Sequence, residues 1–106
     1  MPDTVVEWAP FRLGTDVTET DLLTASEAFQ ANFLKGRAGF LRREIVHVCD
    51  RNYVDIIHWA SRQDAEAVLS EAESSPHCQA FFAIMDMNGA GAADGVTHYR
   101  SVATYD

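Results

Sequence analysis

The sequence predicts an α+β fold: a four-stranded antiparallel sheet with helices on one face, in the order β-α-β-β-α-α-β. Three observations predict it. Segments of alternating hydrophobicity are interleaved with segments of helical period. Each helical segment opens on a capping residue. The chain has 106 residues, enough for one domain spanning 1–106 and too few for a second.

Residues 5–13 read as a first strand. Val5, Ala9, Phe11 and Leu13 share one face, Glu7 interrupts that face, and Trp8 lies on the other. Pro10 removes a ladder donor, which fits an edge strand or a bulge. Residues 18–35 read as a helix. Thr18 and Asp21 form a capping pattern, Leu22, Ala25, Phe29 and Phe33 recur as one apolar stripe, and Gly36 is a plausible stop. Residues 39–49 and 53–60 read as a hairpin closed by Asp50-Arg51-Asn52. Leu41 and Ile45 are expected on one of its faces, and Phe40, Val46 and Val48 on the other. Ser61 and Asp64 open a second helix with the stripe Ala65, Val68, Leu69 and Ala72. Ser75-Pro76 opens a third, with Cys78, Phe81, Phe82 and Met85 as its apolar face. Residues 88–95 read as a Gly/Ala-rich loop, a connection able to cover a pocket, and 96–105 as the last strand.

This is the split βαβ, ferredoxin-like order with its second helix broken in two. Right-handed crossovers put both helical layers on one sheet face. The hairpin is apolar on both sides, and antiparallel strands of that kind need cover on both sides. The chain also carries six Phe, three Tyr and two Trp. A homo-oligomer with an apolar interface is therefore expected.

Composition removes several classes of function. With 8 Lys+Arg against 16 Asp+Glu, the net charge of −8 argues against nucleic acid or an anionic membrane as partner. No apolar run is long enough to span a bilayer, and no secretory signal is visible at Met1-Pro2-Asp3-Thr4. Cys49 and Cys78 form no CxxC, which fits a reduced, cytoplasmic protein.

The stretch Ile56-Ile57-His58-Trp59-Ala60-Ser61-Arg62-Gln63-Asp64-Ala65 is similar to the strand ending in Trp-x-Ser, followed by an Ala-rich helix, of the antibiotic-biosynthesis-monooxygenase-like (ABM) proteins. Residues 74–82, Ser-Ser-Pro-His-Cys-Gln-Ala-Phe-Phe, resemble that family's second short helix. The resemblance covers nearly the whole chain and implies a dimeric α/β barrel, in which two sheets pack face to face. The family includes cofactor-free monooxygenases of aromatic, hydroquinone-like substrates. It also includes haem-degrading members that use an Asn, a Trp and a His. Counted without gaps, that Trp position falls here on Val68, and the first strand has no Asn, which argues against haem degradation. The cofactor-free members place Asn, Trp, Tyr and Arg around a pocket between sheet and helices. Trp59 carries over; Tyr99 and Arg100 are of the right type with no motif to align them.

Histidines supply the candidate chemistry. If Cys49 pairs with Tyr53, His58 faces Glu44 and His47 faces Asp55, each a possible base with an orienting acid; a shift of one residue breaks both pairs. Surface ion pairs are the plainer reading. His98 can join them across the sheet, but no metal-ligand spacing is present, so neither a metal nor a cofactor is expected. Cys78 reads as a buried structural thiol.

The resulting expectation is a homodimeric, cofactor-independent monooxygenase, or a related enzyme, acting on a small aromatic or quinol-type molecule. His58 or His47 is the expected base, and Arg100 or Arg43 the anion partner. Trp59, Trp8, Tyr99 and Phe82 are the expected substrate contacts. The alternatives are a non-catalytic, small-molecule-binding or stress-related homodimer, and an interaction module whose barrel only dimerises.

Overall fold

A computed structural model describes residues 4–86 and 95–105. Four strands, β1 (Val5–Arg12), β2 (Phe40–Cys49), β3 (Asn52–Trp59) and β4 (Thr97–Arg100), form one antiparallel sheet in the order β2-β3-β1-β4. Helices α1 (Glu19–Phe29), α2 (Arg62–Ala72) and α3 (Pro76–Phe82) complete the predicted α+β, ferredoxin-like arrangement. Among the described residues, no helix is long and apolar enough to cross a membrane. Cys49 and Cys78 are free thiols, the first exposed and the second buried.

The caps form where the sequence places them. The Asp21 amide donates to Thr18 Oγ1 at 3.1 Å, and the Thr18 amide donates back to Asp21 Oδ2 at 3.0 Å, which satisfies two free donors of the helix start. Ser61 caps α2 through the Asp64 amide, and Ser75 caps α3 through the Cys78 amide. The long helix expected over 18–35 ends early, however. Phe29 closes α1, and Gln30–Leu34 continues as a π-helical turn in which the Lys35 amide donates to Gln30 O at 2.8 Å. Phe33 and Leu34 in the wider turn are both buried, and Phe33 stacks on Phe29 at 5.3 Å. Arg37 then locks the turn: it donates to Phe33 O, covers the Phe33 ring at 4.1 Å and forms a two-bond ion pair with Glu71.

The hairpin register differs from the one considered above. Cys49 pairs with Asn52, and beyond an irregularity between His47 and Cys49, Tyr53 faces His47, Ile45 faces Asp55 and Arg42 faces His58. Neither expected His–carboxylate pair forms. A bulge between Phe40 and Arg42 turns Phe40 to the helix side, against Trp59, and leaves Leu41 exposed. The last strand is also shorter than 96–105. Its pairing with β1 runs from Thr97 to Arg100, the Ser101 amide then donates to Thr4 O, and Val102 and Tyr105 beyond it lie exposed. The expected loop lies outside the described residues apart from Gly95.

Gly39 sets the start of β2. It has φ +79°, and its carbonyl accepts the Ala60 amide at 2.8 Å. A Cβ there would fall 2.7 Å from Asp64 Cβ, against the first turn of α2. Gly39→Ala is expected to cost about 1–3 kcal/mol through the left-handed backbone and this clash, measured by urea denaturation.

Candidate functional site

Strand pairing decides which side chains meet beneath the helices. In an antiparallel pair, residues opposite one another share a face. Val5, Glu7, Ala9 and Phe11 of β1 therefore share the helix-covered face with Trp59, Ile57, Asp55 and Tyr53 of β3. His98 of β4 stands opposite Glu7 on the same face. Between this face and the helices lies a cavity of about 180 Å³. Its walls are largely apolar, with Phe11, Phe29, Phe33, Phe81, Phe82 and Met85 supplying most of the aromatic and thioether surface. Phe29 and Phe81 stack at 4.7 Å to form one wall.

Two carboxylates line this apolar space. Asp55 is 4% exposed and Glu7 is 5% exposed. Asp55 has a dedicated cation. Arg43 Nε and Nη2 donate to its two oxygens at 2.9 and 2.8 Å, and the guanidinium lies over Phe29 and Phe81 at 5.0 and 5.3 Å. Arg43 also donates to Ser26 O on α1. Burial raises the Asp55 pKa, and Arg43 opposes the rise.

Glu7 has no such partner. Trp59, itself fully buried, donates Nε1–H to Glu7 Oε1 at 3.1 Å. His98 Nε2 lies 3.4 Å from the same oxygen, buried and without a hydrogen bond of good geometry. Glu7 Oε2 accepts no hydrogen bond from the described residues. Burial pushes the Glu7 pKa from 4.5 up to about 7; the Trp59 N–H lowers it, Asp55 raises it and Arg43 lowers it. Near neutral pH this carboxyl is poised between its two states, as a general base requires.

The residues singled out in the sequence are divided between the two sheet faces. Phe82 lines the cavity, and Trp59 reaches it through its bond to Glu7. Arg43 stands behind Asp55. His58, Trp8 and Tyr99 lie on the opposite, uncovered face, as their partners Val6, Ile56 and Thr97 show. His47 sits at the far end of the hairpin, 4.8 Å from the Tyr53 ring, and its Nε2 lies 3.0 Å from Asp50 O. Arg100 pairs with Val5 and is exposed. Burial lowers the His58 pKa, Arg42 adds to this and Glu44 opposes it. The central residue of the site, Glu7, is the one that interrupts the apolar alternation of the first strand. A charged residue on an otherwise inward face was its signal. No group of His, Cys, Asp and Glu suited to a metal ion occurs among the described residues.

Solved structures share this architecture. SnoaB, a cofactor-independent oxygenase from Streptomyces nogalater, is 19% identical over 98% of this chain and 96% of its own, with a TM-score of 0.67. A candidate antibiotic biosynthesis monooxygenase from Bordetella bronchiseptica is 13% identical over 95% and 99% of the two chains, at TM-score 0.72. A haem-degrading protein from Mycobacterium tuberculosis is 16% identical over 97% and 99%, at 0.59. No protein-family model matches the sequence, and no curated protein does. The chain thus has the fold of the ABM-like proteins, and at these identities the likeness extends to the fold alone.

The Glu7 environment makes stability depend on pH. A carboxyl with a pKa of 4.5 when unfolded and about 7 when folded favours the folded state in its protonated form. That contribution is complete below pH 4.5 and is lost as pH rises through 7. Glu7→Gln, which keeps an acceptor for Trp59, is expected to fold with wild-type stability at pH 4. At pH 8 it should be more stable by about 3 kcal/mol. Urea denaturation at the two pH values checks this.

Proposed function

We propose that this chain is a cofactor-independent oxygenase of a small, uncharged phenol- or quinol-type molecule, with Glu7 as the general base. One observation carries the reading: a buried carboxyl with a pKa of about 7 faces an aromatic-lined cavity. The fold shared with the cofactor-independent oxygenase SnoaB supports it. Planar rings suit walls of stacked Phe, and an uncharged hydrogen-bond donor suits a floor of two carboxylates, which repels anions.

In this reading Glu7 removes the acidic proton of the bound molecule on its free oxygen, Oε2. The resulting electron-rich anion reduces O₂ and combines with it, and Glu7 returns its proton to give a hydroperoxide on the ring carbon. Loss of water from that carbon, with its remaining hydrogen, leaves a carbonyl. One O₂ is consumed, and its two atoms end in the carbonyl and in water. The protein takes and returns one proton, holds the ring and excludes bulk water.

The base role passes from His58 and His47 to Glu7 because neither histidine borders the cavity. Oxygen uptake with a panel of hydroquinones and naphthols tests the assignment. Glu7→Gln should lower kcat by roughly 10²–10⁴-fold, whereas His58→Ala should stay within a few-fold of wild type. Full turnover in Glu7→Gln would overturn Glu7 as base. Tight binding of these compounds without oxygen uptake would favour the non-catalytic binding protein.

We further infer that two copies pair through the uncovered sheet face. Trp8 and Tyr99 leave 40% and 54% of their surfaces exposed there, and water is a poor neighbour for such a pair. Native mass spectrometry should give twice the chain mass. Trp8→Glu should shift the population to monomer, and a wild-type monomer at micromolar concentration would reject the pairing.

A further inference from the structure

The His98 imidazole is more than nine-tenths buried, and its Nε2 has no hydrogen-bond partner among the described residues. That nitrogen lies 3.4 Å from Glu7 Oε1, off the line of a good hydrogen bond but near enough for one to form if the ring turns. Leaving a buried ring nitrogen unpaired costs free energy unless a proton can be placed on the line between it and its neighbour. Glu7 Oε1 is the oxygen turned to Trp59 and His98, while Oε2 is left without a protein donor. The carboxyl therefore has one oxygen directed into the protein and one left for a ligand.

We propose that His98 is the terminal proton acceptor behind Glu7: as a ligand proton arrives on Glu7 Oε2, the proton on Oε1 moves to His98 Nε2. This rests on the reading of Glu7 as base and deepens it. Atoms balance, since one proton enters the carboxyl at Oε2 and one leaves at Oε1, and Glu7 ends as the neutral acid it began as. The net result is an imidazolium at His98 facing a ligand anion. The relay lets Glu7 accept a proton while already protonated, as it is in much of the population near neutrality.

The surrounding charges set the resting protonation of the pair. Toward Glu7 face Asp55 of β3 and Arg43 of β2, already paired with each other. Toward His98 face Arg62 and Glu66 of α2, themselves 4.0 Å apart. Arg12, Glu73 and Asp86 line the cavity farther along. Burial holds the resting imidazole neutral, with Arg62 adding to this and Glu66 opposing it, so Nε2 starts without a proton and gains one only against these effects, with a ligand anion as its counter-charge.

The first test is on the resting protein. The ¹⁵N signal of His98 Nε2, assigned by its absence in His98→Gln, should show a step near pH 7 as the Glu7 proton comes off, and Glu7→Gln should lose that step. No step in the wild type, or the same step in Glu7→Gln, overturns the coupling. The second test is the pH profile of oxygen uptake. In the wild type the acid limb should lie below pH 7, and in His98→Gln it should move up toward the Glu7 ionisation. If Glu7→Gln abolishes turnover while His98→Gln leaves the acid limb unmoved, the base stands and the relay falls. Full turnover in Glu7→Gln removes the base itself.

Discussion

Two carboxylates buried on one sheet face, only one of them paired with an arginine, set the conditions for the rest of this structure. A carboxylate taken out of water must be paired, hydrogen-bonded or protonated. Asp55 takes the first course through the two-pronged contact with Arg43. Glu7 is left with one indole N–H and an adjacent histidine, which do not offset its burial, and it holds its proton to about pH 7 instead. The difference between the two acids is therefore one of supply. The same guanidinium also packs on Phe29 and Phe81, so the cation that settles Asp55 also braces the aromatic wall of the cavity.

The helices are shaped to that arrangement. A regular α-helix continued through residues 30–34 would direct Phe33 differently. The π-helical turn widens the backbone so that Phe29 and Phe33 stack and both border the cavity. Beyond α3, Met85 bridges to Leu13, and the Asp86 amide bonds to Arg12 O, which brings the chain back along the end of β1 and closes one side of the space. Glu7 lies on β1, which is hydrogen-bonded to both β3 and β4, so Trp59 reaches it from one side and His98 from the other.

Local chemistry made much of this legible in the sequence. Thr18, Ser61 and Ser75 marked the three helix starts because a capping hydroxyl acts within three residues of itself. The element order gave the sheet because crossovers have few permitted routes. The hairpin was harder. Its register depends on how many residues the turn takes, and one residue moves every side chain to the other face. Asn52 joining β3 and the irregularity between His47 and Cys49 together shift the pairing by two residues, so His58 meets Arg42 rather than Glu44, and the bulge at Leu41 reverses Phe40. The carboxylate partners expected for His58 and His47 depend on that register, and the pairing with Val6 of β1 puts His58 on the far side of the sheet from the cavity.

The sequence by itself determined the elements, their order, the inward stripe of each helix and the need for cover on a second sheet face. All follow from periodicity and capping, which act over a few residues. It also held one sign of the site, the acid at Glu7 amid inward apolar positions. Only the tertiary structure decided what that acid is. Its raised proton affinity comes from burial beneath the packed helices, against which the Trp59 N–H, fifty-two residues away, pulls it down, while Asp55 on another strand adds to the rise. Burial and long-range pairing are properties of the assembled layers, and no local pattern encodes them.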